Sequence, residues 1–156
     1  MAGFLGEYEA TLDAKGRFLL PVGFKKQMEE ESDNRFVINR GMEKYLSLYP
    51  WKKWDTIFND LNNLSDFDPE IRQFKRYFLN GATIMELDSA GRLLIPQNLK
   101  PHAELENDIV LLATGSIIEI WDKVKYEKLF KEFPTETVSN MANKHLNKKP
   151  NELGNQ

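Results

Sequence analysis

Two stretches of the chain share one order of polar and apolar positions. In each stretch, apolar and polar side chains alternate up to a leucine, Leu12 or Leu87, and a compact loop then leads into an unbroken apolar run. Alternation with a period of two is typical of a strand with one buried face. Each run ends at a proline, which lacks the N–H group that a ladder needs. The pattern predicts two β-hairpins, each with a tight loop between its strands.

The two loops carry the same motif. Positions 12–21 read LDAKGRFLLP and positions 87–96 read LDSAGRLLIP, so that Asp, Gly, Arg and Pro recur at a shift of 75 residues. A repeat of this kind indicates two related structural units. Because a short β-unit cannot bury a core alone, we expect the two units to intertwine as a pseudo-symmetric pair within one chain.

The other segments show helical periodicity or short extended runs. Asp68 followed by Pro69 is a strong helix start, and Gly81 is the glycine expected after a helix end. Apolar spacing indicates the rest. We predict helices over 21–31, 50–61, 69–80 and 122–133, a weak helix over 138–146, strands over 36–38, 45–49, 109–113 and 117–121, and turns at 32–34 and 97–101. The polar residues 147–156 are predicted to be disordered.

This order of elements predicts an α+β fold made of four segments. Residues 6–53 form the first repeat, residues 54–80 a helical connection, residues 81–125 the second repeat, and residues 126–156 a C-terminal helix with a flexible tail. We expect the two β-units to form the core and the helices to lie at its periphery.

The distribution of charge matters more than its sum. The net charge of −3 argues by itself against a nucleic-acid partner. Residues 8–26 nevertheless carry a net charge of +2 and residues 83–100 a net charge of zero, which leaves −5 for the remainder. The acidic excess therefore lies outside the two hairpins.

Composition excludes several classes of site. Without cysteine there is no disulfide, thiolate zinc site or cysteine nucleophile. The two histidines, His102 and His145, lack the spacing of metal ligands, and no glycine-rich phosphate loop follows a strand. We expect no metal and no cofactor. No apolar stretch approaches the roughly 18 residues of a membrane span, and no signal peptide is visible, so a cytoplasmic protein without a membrane partner is expected.

The repeated aspartates are the candidates for catalysis, but their neighbours argue against it. Asp13 and Asp88 could meet as an acid–base pair in a shared cleft. Each is followed four residues later by an arginine, Arg17 or Arg92, which favours an ordinary ionised carboxylate. We therefore expect no catalytic residues and no enzyme.

The arginines are the candidate DNA-binding residues. The planar guanidinium of Arg17 or Arg92, exposed near a loop tip, matches phosphate and guanine edges bidentately. Lys15 adds phosphate attraction in the first copy only, since Ala90 takes its place in the second. The alternative is that both arginines merely form hairpin-stabilising ion pairs.

The remaining motif residues are expected to support the hairpins. Asp13 and Asp88 are predicted to orient the loop or the arginine rather than to touch a base. Gly16 and Gly91 are predicted to supply a positive φ at the tip. Aromatic residues at helical or strand spacing favour core or subunit interface over base stacking: Trp51, Trp54, Trp121 and Tyr126. Basic residues outside the hairpins are predicted to lie on solvated helix faces: Lys25, Lys26, Arg72, Lys75 and Arg76.

The doubled D-x-x-G-R hairpin resembles the MraZ family, bacterial transcriptional regulators built from two SpoVT/AbrB-like repeats, over about residues 6–133. The resemblance implies two swapped-hairpin units that form a pseudo-two-fold β-barrel core with peripheral helices. It also implies double-stranded DNA binding through the arginine-bearing hairpins, ring-like homo-oligomers and association with the nucleoid. The implied targets are short direct repeats in the promoter of the division and cell-wall gene cluster, bound as a repressor.

A different class of function remains open at this point. The hairpin tips could contact protein instead of DNA, in an oligomeric scaffold or an antitoxin-like module. Salt-dependent binding to duplex DNA, lost with Arg17→Ala, separates the two hypotheses.

Overall fold

Eight strands and six helices make up residues 3–146, the part of the chain that the computed structural model describes. The strands are β1 (Phe4–Thr11), β2 (Arg17–Leu19), β3 (Arg35–Arg40), β4 (Leu46–Pro50), β5 (Thr83–Glu86), β6 (Arg92–Leu94), β7 (Asp108–Gly115) and β8 (Ile118–Asp122). The helices are α1 (Val22–Ser32), α2 (Trp51–Asn62), α3 (Pro69–Leu79), α4 (Lys100–Ala103), α5 (Lys123–Lys131) and α6 (Thr135–His145). The α+β prediction is confirmed.

Six of the strands form one antiparallel sheet in the order β1-β7-β8-β4-β3-β5. Within residues 3–146 the sheet is open, with β1 and β5 at its two edges, so the barrel that the resemblance implied is not found as a closed ladder. The remaining strands, β2 and β6, form a separate two-stranded ribbon.

The prediction that each motif forms a hairpin of its own two strands is wrong. In the first copy β1 pairs with β7, and in the second copy β5 pairs with β3. The two return strands pair with each other instead, with Arg17 opposite Leu94, Phe18 opposite Leu93, and Leu19 opposite Arg92. A three-residue strand closed by proline offers too few ladder bonds to hold its own neighbour, so the partner is chosen by packing.

The ribbon is anchored in the main core through its central residues. Phe18 and Leu93 are each only 1% exposed and belong to the large buried cluster beneath the six-stranded sheet. Positions 75 residues apart have equivalent packing beyond the ribbon as well. Phe24 of α1 and Leu99 just before α4 are both fully buried in that cluster. The sequence repeat is therefore also a repeat in packing.

A second cluster lies where α2 and α3 meet the sheet. Trp54 stacks on Phe78 with ring centroids 5.8 Å apart and an angle of 4° between the planes, and it also contacts Tyr49. The helical spacing of apolar residues places Phe58 and Phe74 on the inner stripes of α2 and α3, yet they are 38% and 41% exposed. The stripes are therefore narrower than their sequence spacing indicated.

The bounds of the five predicted helices lie within three residues of the observed ones, and the start of α3 follows from local signals. The Asp68 carboxylate accepts a hydrogen bond from the backbone N–H of Glu70 at 2.9 Å, with Pro69 at the first helical position. The segment predicted as a turn over 97–101 leads into the short helix α4, and α6 begins at Thr135 rather than at residue 138. The predicted disordered tail, 147–156, lies outside the described residues.

The chain divides into two compact units, with the boundary after Lys123. The first contains both sheets and both copies of the motif. The second contains α6 and most of α5, in which Tyr126 packs edge-on against Phe130 at 4.8 Å. The four-segment division of the chain stays a prediction. Across residues 3–146 no helix is long and apolar enough to span a membrane.

Truncating the buried centre of the ribbon should destabilise the whole first unit. Removal of a fully buried side chain costs about 3–5 kcal/mol for Phe18→Ala and about 2–5 kcal/mol for Leu93→Ala. Leu19→Ala is the matched control, since that side chain is 60% exposed and should change stability by less than about 0.5 kcal/mol. Urea denaturation gives the free energy of unfolding of all three variants. Core variants that lose no more stability than the control would contradict the packing.

Candidate nucleic-acid interface

The loop of the first motif is organised by the carboxylate of Asp13. Its Oδ1 accepts hydrogen bonds from the backbone N–H groups of Lys15 and Arg17, both at 2.9 Å. The backbone N–H of Asp13 in turn donates to the carbonyl of Arg17 at 2.9 Å. Gly16 completes the turn with φ of +84°, a conformation that L side chains rarely adopt. The tip is thus a rigid turn set by a carboxylate.

The second loop repeats this arrangement bond for bond. Asp88 Oδ1 accepts from the backbone N–H groups of Ala90 at 3.0 Å and Arg92 at 2.8 Å, and Asp88 N–H donates to the Arg92 carbonyl at 2.9 Å. Gly91 takes φ of +80°. The two copies therefore have the same local geometry although Lys15 is replaced by Ala90.

Each aspartate also holds the arginine four residues on. Arg17 Nε donates to Asp13 Oδ2 at 2.7 Å, and Arg92 Nε donates to Asp88 Oδ2 at 2.9 Å. The Arg17 and Arg92 side chains are 28% and 33% exposed, so they are half-buried rather than exposed as predicted. Apart from its Nε bond, neither guanidinium donates a hydrogen bond within residues 3–146. Each guanidinium therefore keeps Nη donors for a ligand.

Both carboxylates are held in the ionised form. The hydrogen bond from the Arg17 backbone N–H, opposed in part by desolvation and helped by the Arg17 side chain, lowers the pKa of Asp13. The same causes, from Arg92, lower the pKa of Asp88. An acid–base pair requires two groups whose pKa values are pushed apart. These two shift in the same direction, so the site has the chemistry of an ion-pair cluster.

The ribbon brings the two motifs into one surface. Arg17 and Leu19 lie on the outer face of β2, and Arg92 and Leu94 on the outer face of β6, because alternate residues of a strand share a face. Arg92 Nη1 lies 4.0 Å from Asp13 Oδ2, which links the two ion pairs. The residue after each strand donates a hydrogen bond from its backbone N–H group to the carbonyl of the tip glycine in the other copy. The two candidate arginines are therefore neighbours, although 75 residues separate them.

A groove of about 490 Å³ opens beside this face. Its walls carry Arg17, Arg92 and Asp13 together with apolar parts of β1 and β2. Leu19 and Leu94 are 60% and 50% exposed next to the arginines. The surface combines donors with apolar contacts, as a groove-reading ribbon does.

One cation near this site was missed by the sequence interpretation. Lys100 Nζ lies 3.5 Å from the position that a Cβ on Gly16 would take, so a lysine of the second repeat reaches the tip of the first. The repeat offset pairs Lys100 with Lys25, which lies on an exposed helix face. The two lysines differ in position only because the return strands of the two copies pair with each other, which places Lys100 beside the first tip.

Other predicted groups lie away from the ribbon. Arg72 donates a hydrogen bond to the Asp66 carbonyl at 2.8 Å, and Lys75 Nζ lies 2.7 Å from the Asp66 carboxylate. Both cations therefore stabilise the segment that precedes α3. Trp54 and Trp121 are buried, which removes them as stacking platforms for bases. No cluster of three or more potential metal ligands occurs between residues 3 and 146.

The two aspartates should make the stability of the folded protein depend on pH in the acid range. Their native pKa values lie below the unfolded value of 3.8, so their stabilising effect is complete above that value and is lost as the pH falls through the native pKa. The double variant Asp13→Asn, Asp88→Asn should be less stable near neutral pH and lose less stability below about pH 4. Urea midpoints across this pH range measure it. Asp60→Asn, on an exposed face of α2, is the control and should follow the parent protein.

Comparison with known proteins identifies the family. The family model described as "MraZ protein, putative antitoxin-like" matches the chain twice, over residues 3–77 and 78–148. Three relatives, each named transcriptional regulator MraZ, align along most of their length. The Cytophaga hutchinsonii protein is 38% identical over 146 residues, which cover 94% of this chain and 96% of that protein. The Flavobacterium psychrophilum protein is 42% identical over 82% of each chain. The Christiangramia forsetii protein is 39% identical over 85% of this chain and 86% of its own.

The double match and the position of the repeated loops agree with each other. Each matched range contains one copy of the aspartate–arginine loop, and together the ranges span all of the described residues. The resemblance seen in the sequence is confirmed: the chain belongs to the MraZ family of transcriptional regulators.

Proposed function

We propose that this chain is a sequence-specific DNA-binding transcriptional regulator, and that the ribbon of β2 and β6 is its DNA-binding element. One observation carries the proposal: two half-exposed arginines lie on one ribbon face, and each is held through Nε by an aspartate while its Nη groups donate no hydrogen bond within residues 3–146. An antiparallel ribbon fits the major groove of duplex DNA, and an arginine fork matches the O6 and N7 acceptors of guanine.

The aspartates act as positioning residues in this proposal. Because Asp13 and Asp88 bond both the loop backbone and the arginine Nε, each guanidinium is oriented before DNA arrives. A side chain already ordered loses less conformational entropy on binding. Gly16 and Gly91 support the same geometry by allowing the positive φ at each tip. Lys15, exposed on the first loop, contacts phosphate.

The proposed architecture is a swapped pair of hairpin units related by a pseudo-two-fold axis through the ribbon. Support comes from the pairing of β2 with β6 around Phe18 and Leu93, and from reciprocal bonds between the copies. Leu20 N–H donates to the Gly91 carbonyl at 3.1 Å, and Ile95 N–H donates to the Gly16 carbonyl at 2.9 Å. Each unit thus completes its tip with backbone from the other.

Assembly into a ring-like homo-oligomer is part of the proposal. A single subunit with a net charge of −3 offers few phosphate contacts, so its affinity should be low. Several subunits on short direct repeats turn later contacts into intramolecular ones and raise avidity without new contacts. We further propose repression at a promoter of the division and cell-wall gene cluster, in the cytoplasm and on the nucleoid.

A protein-binding role, as scaffold or antitoxin-like module, is the second candidate. The half-exposed leucines Leu19 and Leu94 on the arginine face favour it, since exposed apolar surface beside charge is also typical of protein interfaces. The two functions differ in one property. Binding to duplex DNA that weakens steeply with salt belongs only to the regulator.

Truncating either arginine should weaken specific DNA binding. A bidentate base contact contributes about 1–3 kcal/mol, so Arg17→Ala and Arg92→Ala should each raise the dissociation constant about 5- to 150-fold on the preferred duplex and relax its sequence preference. Arg17→Lys and Arg92→Lys retain the charge but lose the fork, and should restore nonspecific binding only. Arg72→Ala, away from the ribbon, is the control. Unchanged affinity of both alanine variants would refute base readout by the ribbon.

Selection of bound duplexes from a random pool tests the function without assuming a target. We expect enrichment of a short guanine-containing element that recurs in the same direction, together with a solution mass of several subunits. Titration of salt against the enriched and a scrambled duplex gives the specificity ratio. A protein that enriches no sequence and ignores duplex DNA at low salt would leave the protein-binding candidate.

A further inference from the structure

The two loop tips differ in net charge although their backbones match. Tip 1 comprises residues 13–17 and the side chain of Lys100, and tip 2 comprises residues 88–92. In each tip one aspartate–arginine ion pair cancels. Tip 1 keeps the charges of Lys15 and Lys100, so it carries two net positive charges and tip 2 carries none.

The position of Lys100 comes from an asymmetry between the repeats. Repeat 1 continues from its ribbon strand into the eleven-residue helix α1, which starts at Val22. Repeat 2 continues into the four-residue helix α4, which starts only at Lys100. Lys100 therefore opens a helix, whereas its repeat equivalent Lys25 lies inside one. Among residues 3–146, nothing lies within 4 Å of the position of a Cβ on Gly91, so tip 2 receives no matching lysine from this part of the chain.

Neither lysine of tip 1 is neutralised by the protein. Within residues 3–146, Lys15 and Lys100 take part in none of the ion pairs, and no hydrogen bond from either ammonium group is formed. Lys100 is half-buried and its ammonium stands beside the glycine of the turn. An ammonium without a carboxylate partner is suited to an external anion such as a phosphate.

We propose that Lys100, a residue of the second repeat, binds DNA at tip 1, which belongs to the first repeat. Tip 1 then anchors the ribbon on phosphate, while tip 2 contacts DNA through Arg92 alone. This inference rests on the proposed function. A ribbon with equal ends would suit a palindrome, because its two-fold axis would match that of the site. Unequal ends bind in one orientation, which suits elements repeated in the same direction.

The dependence of affinity on salt tests the role of Lys100. Each phosphate contact adds about 0.9 to the slope of log K against log salt, so Lys100→Ala and Lys100→Gln should each lower that slope by about one. The loss should be equal on the enriched and the scrambled duplex. Lys25→Ala, the repeat equivalent, is the matched control and should keep the slope of the parent protein. Ala90→Lys, which gives tip 2 a cation, should raise it by about one.

The orientation is tested through a single attached cleavage reagent. The chain has no cysteine, so Ser89→Cys on tip 2 provides one attachment point for an iron chelate that cuts nearby DNA. On a duplex with one enriched element, cuts should fall on one side of the element only.

The results separate the two levels of the hypothesis. If the parent protein shows salt-dependent duplex binding but both Lys100 variants keep its slope, Lys100 is no phosphate ligand and this inference is overturned alone. Cuts of equal strength on both sides overturn the single orientation. If the parent protein binds no duplex at low salt, the proposed function falls and this inference falls with it.

Discussion

The pairing of β2 with β6 is the interaction on which the remaining structure depends. Each strand has three residues, too few to be stable without a buried face. Phe18 and Leu93 supply that face by entering the main core together. The same pairing places Arg17 and Arg92 on the outer side, since neighbouring residues of a strand point in opposite directions. The core and the candidate interface are therefore two faces of one ribbon.

Electrostatics at the ribbon are local and differ from those of the whole chain. The net charge of −3 is a sum over all 156 residues and does not describe the charge at the ribbon. At the ribbon, each arginine is matched by one aspartate, and the ion pairs are joined through Arg92 and Asp13. Two further lysines then decide the sign of the potential at one end only. In the proposed function, an acidic remainder discourages indiscriminate coating of DNA, while tip 1 stays attractive to phosphate.

Local features were predicted well because neighbouring residues determine them. The turn at each tip needs an aspartate, a glycine and a short loop, all within five positions of the sequence, and both tips have the geometry that this chemistry favours. The start of α3 likewise follows from Asp68 and Pro69. Buried aromatic residues such as Trp54 were recognised by their spacing. The narrow apolar stripes of α2 and α3 were predicted less well, because burial there depends on what packs against them.

Partner choice between distant strands could not be read from the chain. A strand of three residues pairs equally well, by its own pattern, with the strand beside it or with its copy 75 positions away. Packing of Phe18 against the core, together with the exchange of backbone bonds between the tips, favours the second arrangement. The same exchange carries Lys100 to Gly16 and leaves Gly91 open.

By itself the sequence determined the repeat, the chemistry of each loop and the family, because these depend on residue identity and short spacing. Only the tertiary structure decided which strands pair, that the two arginines share one face, and that Lys100 adds to the difference that Lys15 and Ala90 already make between the tips. The physical reason is that burial and long-range pairing are properties of the whole core. Helices α1 and α4 start at different points of their repeats. This difference changes the charge of a tip only because the repeats pack together and place Lys100 beside Gly16.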